Sequence, residues 1–284
     1  VTKRIFSLLV VMLLSTSAVA KKQGGPLSNP REIGDPVWEA GMFGAYFRDA
    51  LYPASADSQH KLLPVPFFIY RGEYLRIGDD AIVKAVAVEK ERIKVDLSLS
   101  GAFNSDSEDS EIRRGMPDLD FLFEMGPEVS LRLNDSTTSE LWLNIQLRGV
   151  FSTDFSGIDH HGYVFEPEFS WESDQIGIAN TTFFISAAPI FATEKTHEYF
   201  YQVDEVYATD FRPAYDAGAG YLGTKTAFSL KYEHDDDITV FAGVRFGIWS
   251  GSVNADSPLY QDSFTYGVGL GVKWRLFVSE RKVK

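Results

Sequence analysis

Glu166 and Glu168 stand two residues apart, so on an extended segment both carboxyls leave the same face. Two carboxylates on one face are what a glycosidase needs for its acid and base. Strand alternation of charged and apolar residues produces the same pair without any catalysis. Asp159, His160 and His161 bring a carboxylate and two imidazoles capable of binding metal or moving a proton. They fall in a polar turn, and no second ligand cluster stands at metal-site spacing. His60 lies in a polar stretch, 48–61, read as a solvated loop. A nucleophile elbow, a phosphate-binding loop and a zinc-protease helix are all missing from the sequence. These residues do not add up to an enzyme: no catalytic, cofactor-binding or metal-ligating residue is assigned, and no cofactor is expected.

The other charged residues recur at alternate positions opposite apolar ones. Glu39, Lys94, Asp96, Glu124, Glu128, Arg132, Arg148, Glu166, Glu168, Lys231, Glu233, Arg245, Lys273 and Arg275 share the polar faces of long period-two segments. In 237–277, Ile238, Val240, Ala242, Val244, Phe246 and Ile248 fall on one face. Val268, Leu270, Val272, Trp274 and Leu276 repeat the arrangement against Gly269, Gly271, Lys273 and Arg275. Such strands, glycine-rich with aromatic ends, suit a transmembrane barrel whose apolar face meets lipid and whose polar face lines an enclosed interior. The polar set is expected to form a structural network in the lumen, with a solute path as the alternative.

The same alternation runs through 37–47, 93–100, 121–133, 141–148 and 162–171. Pro64 and Pro66 predict a bulge or irregular start in 62–71, because proline cannot donate to a ladder. Residues 73–79 read as a strand after a reversal at Gly72, and 81–90 suits a strand or a short helix. Segment 176–187 reads as the hairpin partner of 162–171, and 215–222 with 226–233 as a hairpin about Gly223. Residues 188–212 are long for a barrel turn and read as a folded plug, a periplasmic excursion or a strand extension. The fold class is therefore all-β, an antiparallel transmembrane β-barrel of about 12 strands.

Lys3 and Arg4 precede the apolar run 5–14, and Ala18-Val19-Ala20 supplies a small-residue cleavage pattern, so 1–20 read as a signal peptide. Residues 21–35 form a periplasmic lead-in, 36–277 the outer-membrane barrel and 278–284 a short basic tail. Cysteine is absent, so packing and barrel closure replace disulfides. The 27 basic and 40 acidic residues give a net charge of -13, which argues against a nucleic-acid partner. With 22 Phe, 13 Tyr and 5 Trp, the chain has aromatic surface for both membrane interfaces.

Several short stretches, in order, resemble the MipA/OmpV family of outer-membrane proteins. They are Leu63-Pro64-Val65-Pro66 with Tyr70-Arg71-Gly72, Gly115-Met116-Pro117-Asp118-Leu119-Asp120 with Glu124-Met125-Gly126-Pro127, Arg212-Pro213-Ala214-Tyr215-Asp216-Ala217, and Phe241-Ala242-Gly243-Val244-Arg245 with Ala255-Asp256-Ser257-Pro258-Leu259. The resemblance implies a MltA-interacting scaffold in the outer membrane of a Gram-negative bacterium. Its partners would be outer-membrane lipid, a lytic murein transglycosylase and a bifunctional penicillin-binding protein. It carries over no catalytic residue. The murein-enzyme face is sought in 104–118, should that loop be periplasmic. A small-solute outer-membrane channel is the alternative function, and a soluble secreted β-protein a third.

Overall fold

The computed structural model describes residues 34–72, 76–77, 83–84, 88–90, 93–102, 104–134, 136, 138–174 and 176–283. The expected signal peptide and most of the lead-in lie outside the described residues. Ten long strands carry the wall: β1 (Trp38–Ala50), β2 (Ser58–Arg71), β6 (Ile93–Ala102), β7 (Phe121–Arg132), β8 (Ser139–Thr153), β9 (Asp159–Ser173), β10 (Thr181–Ala192), β11 (Gly220–Glu233), β12 (Ile238–Ile248) and β13 (Phe264–Val278). Three short pieces, β3 (Arg76–Ile77), β4 (Val83–Lys84) and β5 (Val88–Lys90), complete the order β4-β3-β2-β1-β13-β12-β11-β10-β9-β8-β7-β6-β5. Every strand pairing among the described residues is antiparallel, and β1 pairs with β13, so the first and last long strands close on one another. The two ends of the order, β4 and β5, are adjacent in sequence. This near-cyclic sheet is a β-barrel, an architecture that satisfies the backbone polar groups inside lipid.

Side-chain parity sorts the wall as the alternation predicts. Along β13, Val268, Leu270, Val272, Trp274 and Leu276 are exposed, while Gly267 and Gly271 face inward and are buried. Along β9, Phe165 and Phe169 face out while Glu166 and Glu168 are buried. Aromatic pairs mark both rims. Trp38 stacks on Phe68 at 6.2 Å between centroids, and Trp171 meets Phe183 edge-on at 6.1 Å at one rim; Phe246 stacks on Phe264 at 5.7 Å at the other.

Three sequence expectations change. The loop read over 48–61 is shorter, because β1 runs to Ala50 and β2 begins at Ser58; His60 therefore sits in a strand, bonded through Nδ1 to the Tyr46 hydroxyl at 2.8 Å. Pro64 and Pro66 cause no bulge, and β2 keeps register with β1 from Trp38↔Tyr70 to Ala50↔Ser58. The Arg71 N–H bonds the Val37 carbonyl at 2.8 Å, so odd-numbered residues of β2 direct their backbone groups to β1. The two prolines are even-numbered and turn their donorless nitrogens to the other edge, where β3 reaches only Tyr70 and Arg71. The hairpin about Gly223 does not exist: 220–233 is one strand. Gly223 is required there by close approach, since a Cβ would lie 2.2 Å from the Trp249 ring.

The three longest connections between consecutive strands of the described sheet, 104–120, 193–219 and 249–263, gather at one end. At the end that holds 34–37 and 279–283, the turns 133–138, 174–180 and 234–237 are short. The opposite end carries 51–57, 104–120, 154–158, 193–219 and 249–263. Segments 104–120 and 193–219 contain helix α1 (Glu194–Tyr201) and two 3-10 turns, Ser107–Asp109 and Glu205–Tyr207. Of the readings for 188–212, strand extension holds as far as Ala192 and a folded plug thereafter.

Candidate functional site

The long connections fold together over one mouth of the barrel. Leu51, Tyr52, Met116, Leu119, Phe200, Tyr201, Val203, Trp249 and Leu259 form one buried apolar cluster with Leu122, Val150, Val164, Ile190 and Leu222 from the strands beneath. Burial of this size is what converts surface loops into a cap. Polar bonds then fix the loops to one another. The Tyr52 hydroxyl donates to the Leu259 carbonyl at 2.9 Å, and that of Tyr201 to the Pro53 carbonyl at 3.0 Å. Ser257 donates through Oγ to the Tyr201 carbonyl at 2.8 Å. Burial pushes the Tyr52 phenol up to about 12 and raises Tyr199 and Tyr201 as well, so all three are neutral donors across the physiological range.

Two buried arginines serve the cap without a carboxylate ion-pair partner among the described residues. Arg212 donates to the carbonyls of Ile112 (2.6 Å), Arg114 (3.1 Å) and Tyr207 (2.6 and 3.0 Å), tying 193–219 to 104–120. Arg113 donates to Pro117 and Phe200 carbonyls at 3.2 and 3.4 Å and lies over the Tyr52 ring at 5.5 Å. Desolvation lowers the Arg113 pKa. His197, on α1, has no solvent exposure. Its Nδ1 accepts from Asn254 Nδ2 at 2.8 Å, and its Nε2 donates to the Gly220 carbonyl at 3.1 Å. Asn254 Oδ1 is already occupied by Tyr215 and Gly218 donors, which fixes the amide's orientation and makes His197 the neutral tautomer. Burial accordingly lowers its pKa.

Below the cap the polar face forms the expected network. Arg148 donates through Nε to Glu124 at 2.8 Å and through Nη2 to Glu166. Glu168 accepts from Asn144 Nδ2 at 3.4 Å, while Asn144 Oδ1 is buried without a hydrogen-bond partner among the described residues. Glu166 and Glu168 thus share a face as their spacing predicts, but Glu166 is held by a guanidinium rather than poised as an acid. At the other end of the lumen Glu39 is approached by Arg71 (2.6 Å), Arg275 (3.5 Å) and Lys273 (3.7 Å). Arg245 pairs with Asp49, Arg132 with Glu140 at 3.3 Å, and Lys231 with Glu233 at 3.2 Å. The side chains of Lys94 and Asp96 lie outside the described residues; their β6 positions are opposite Ser130 and Glu128.

His160 and His161 lie at the start of β9, not in a free turn. His161 Nε2 is 2.9 Å from Ser152 Oγ, and its ring lies 4.3 Å from that of Tyr199. No group of three or more His, Cys, Asp or Glu residues at metal-binding geometry occurs among the described residues.

A cavity of about 260 Å3 lies between cap and lumen network, roofed by Tyr52, Phe200 and Trp249 and bounded by Glu124, Glu166, Glu168, Lys225 and Arg245. At the opposite end, residues 279–283 continue the pairing of β13 beside residues 34–37. Val283 N donates to the Asp35 carbonyl at 2.7 Å, Val37 N to the Arg281 carbonyl at 2.9 Å, and Pro36 bridges Lys282.

An apolar outer belt, aromatic rims and a charged interior under a folded cap define an outer-membrane β-barrel. The family model described as "MltA-interacting protein MipA" matches residues 41–276, and the chain belongs to that family, whose members are structural, non-catalytic proteins of the Gram-negative outer membrane. Among solved structures the chain is similar to the NanC porin at 12% identity, covering 84% of this chain and 100% of that one with a TM-score of 0.39. It is similar to a bacterial polysaccharide outer membrane secretin at 9% identity, covering 84% and 99% with a TM-score of 0.43. A third likeness, at 6% identity, covering 86% and 100% with a TM-score of 0.35, is to OmpT of Vibrio cholerae. No curated protein matches the chain. At these identities and scores the solved structures say nothing about what the lumen holds.

Proposed function

We propose that this protein is a sealed outer-membrane scaffold that holds a lytic murein transglycosylase and a bifunctional penicillin-binding protein on its periplasmic side. The observation that carries the reading is the folded cap, which covers one mouth of a lumen whose wall is lined by the Arg148 and Glu39 ion pairs between adjacent strands. The name of the matching family supports the choice of partners. Barrels of the outer membrane keep short turns in the periplasm and long loops outside. On that rule the partner face is the end formed by 174–180, 234–237 and 279–283. On the same rule loop 104–118 goes with the cap to the cell exterior, away from the partner face.

Photocrosslinkers at Asp236 and Glu280, compared with Val206 and Phe211 on the cap, test the assignment in intact cells. Capture of murein enzymes from the first pair alone is expected. No capture from correctly folded, heat-modifiable barrels, or capture only from the cap, sinks it. The channel alternative requires an open bore and discrete conductance in planar bilayers; the sealed scaffold is silent there.

A further inference from the structure

The cavity beneath the cap is flanked by opposite residual charges. Glu124 and Glu166 both bond the single Arg148 guanidinium, leaving one negative charge over within that trio. Lys225, on β11, lines the same cavity and has no ion-pair partner among the described residues, whereas Arg245 beside it is neutralised by Asp49. Between them runs β10, whose inward residues Ser186 and Ala188 are small. Ala188 pairs with Lys225 on one side. On the other, Ala187 opposite Phe169 and Phe191 opposite Phe165 set Ala188 across from Glu168. Neighbouring strands are about 4.8 Å apart, so acidic β9 and basic β11 flank this small-residue seat at about 10 Å. Charges held away from water are costly unless matched, and a mixed apolar and polar cavity is how proteins bind small molecules.

We propose that this cavity binds a zwitterionic small molecule of the α-amino-acid class with an apolar side chain. Its ammonium group faces the Glu124–Glu166 wall, its carboxylate faces Lys225, and its side chain lies under Tyr52, Phe200 and Trp249. The inference stands apart from the scaffold reading, since it concerns the lumen and not the periplasmic face.

Titration calorimetry of the full folded protein in detergent micelles tests it with three probes: L-phenylalanine, 2-phenylethylamine and 3-phenylpropanoate. L-Phenylalanine is expected to bind at least tenfold tighter than either singly charged analogue. Lys225→Gln should weaken L-phenylalanine about tenfold and leave 2-phenylethylamine unchanged. Gly269→Leu should abolish binding, because Gly269 lines the cavity and the nearest atom to an added Cβ is 4.0 Å away, so the new side chain fills space without breaking the wall. Heat-modifiable migration verifies folding of each variant. Absence of binding to the folded wild type, equal affinity for a singly charged analogue, or unchanged binding to Lys225→Gln or Gly269→Leu overturns the proposal.

Discussion

Replacing Arg148 with methionine removes the one cation between Glu124 and Glu166 and keeps an unbranched side chain that fills similar space. The Arg148 and Glu166 side chains are 2% and 3% exposed, and that of Glu124 is 14% exposed, so water screens the loss poorly. Breaking a buried pair from one side costs about 3–5 kcal/mol, because the remaining charge stays desolvated. At about 1.4 kcal/mol per decade, the folding equilibrium should fall about 140- to 3,700-fold. Equilibrium unfolding in urea, followed by tryptophan fluorescence and by migration of unboiled samples, reads this directly. The triple variant R148M/E124Q/E166Q removes all three charges together and should regain most of the stability. An unchanged R148M midpoint, or a triple variant no more stable than the single one, would refute the argument that charge compensation holds this part of the lumen.

The cap should respond to acid through His197. Its folded-state pKa lies below the usual imidazole value, so its contribution to stability is complete above about pH 6.5 and is lost as pH falls through the folded pKa. Protonation would also set an Nδ1–H against the donating Asn254 amide. Proteolysis within 193–219 should therefore accelerate in acid while the barrel stays heat-modifiable, and an acid-insensitive cap would contradict this. At the alkaline end the sign is reversed: the raised Tyr52 pKa gives stability that is present below pH 10 and lost toward about 12, and absorbance of tyrosinate should show that late step. In the wall, Gly126→Ala places a Cβ 2.0 Å from the Leu147 carbonyl oxygen and should cost about 1–3 kcal/mol in the urea assay. Gly44→Ala meets nothing within 4 Å and should stay within about 0.5 kcal/mol of wild type.

The wall of the barrel was readable because period-two alternation is a local property: a residue's parity already states whether it meets lipid or lumen. Glu39, Glu124, Arg148, Glu166 and Glu168 were placed inside on that basis, and they are inside. Errors arose where one local sign had two causes. Gly223 looked like a turn and is instead a contact with the Trp249 ring. Pro64 and Pro66 looked like strand breakers, yet their shared parity turns both missing donors to the same edge. His160 and His161 invite a chemical reading as adjacent imidazoles, while His197, the one fully buried histidine, is in sequence one residue of the long aromatic stretch 188–212. Its partners, Asn254 and Gly220, stand far from it in sequence, and no spacing rule connects them.

Alternation, the glycine and aromatic content, and the order of the short family stretches determined from sequence alone that this is an antiparallel outer-membrane barrel. The pairing of Glu124 and Glu166 on one guanidinium was decided only by the tertiary structure, because it depends on register between β7, β8 and β9. So was the cap: 51–57, 104–120 and 249–263 look like polar connections, 188–212 leaves a plug, an excursion or a strand extension open, and none can bury its apolar residues alone. Only closure of the barrel brings Tyr52, Phe200, Trp249 and Leu259 over one mouth, where their shared burial turns separate loops into a lid.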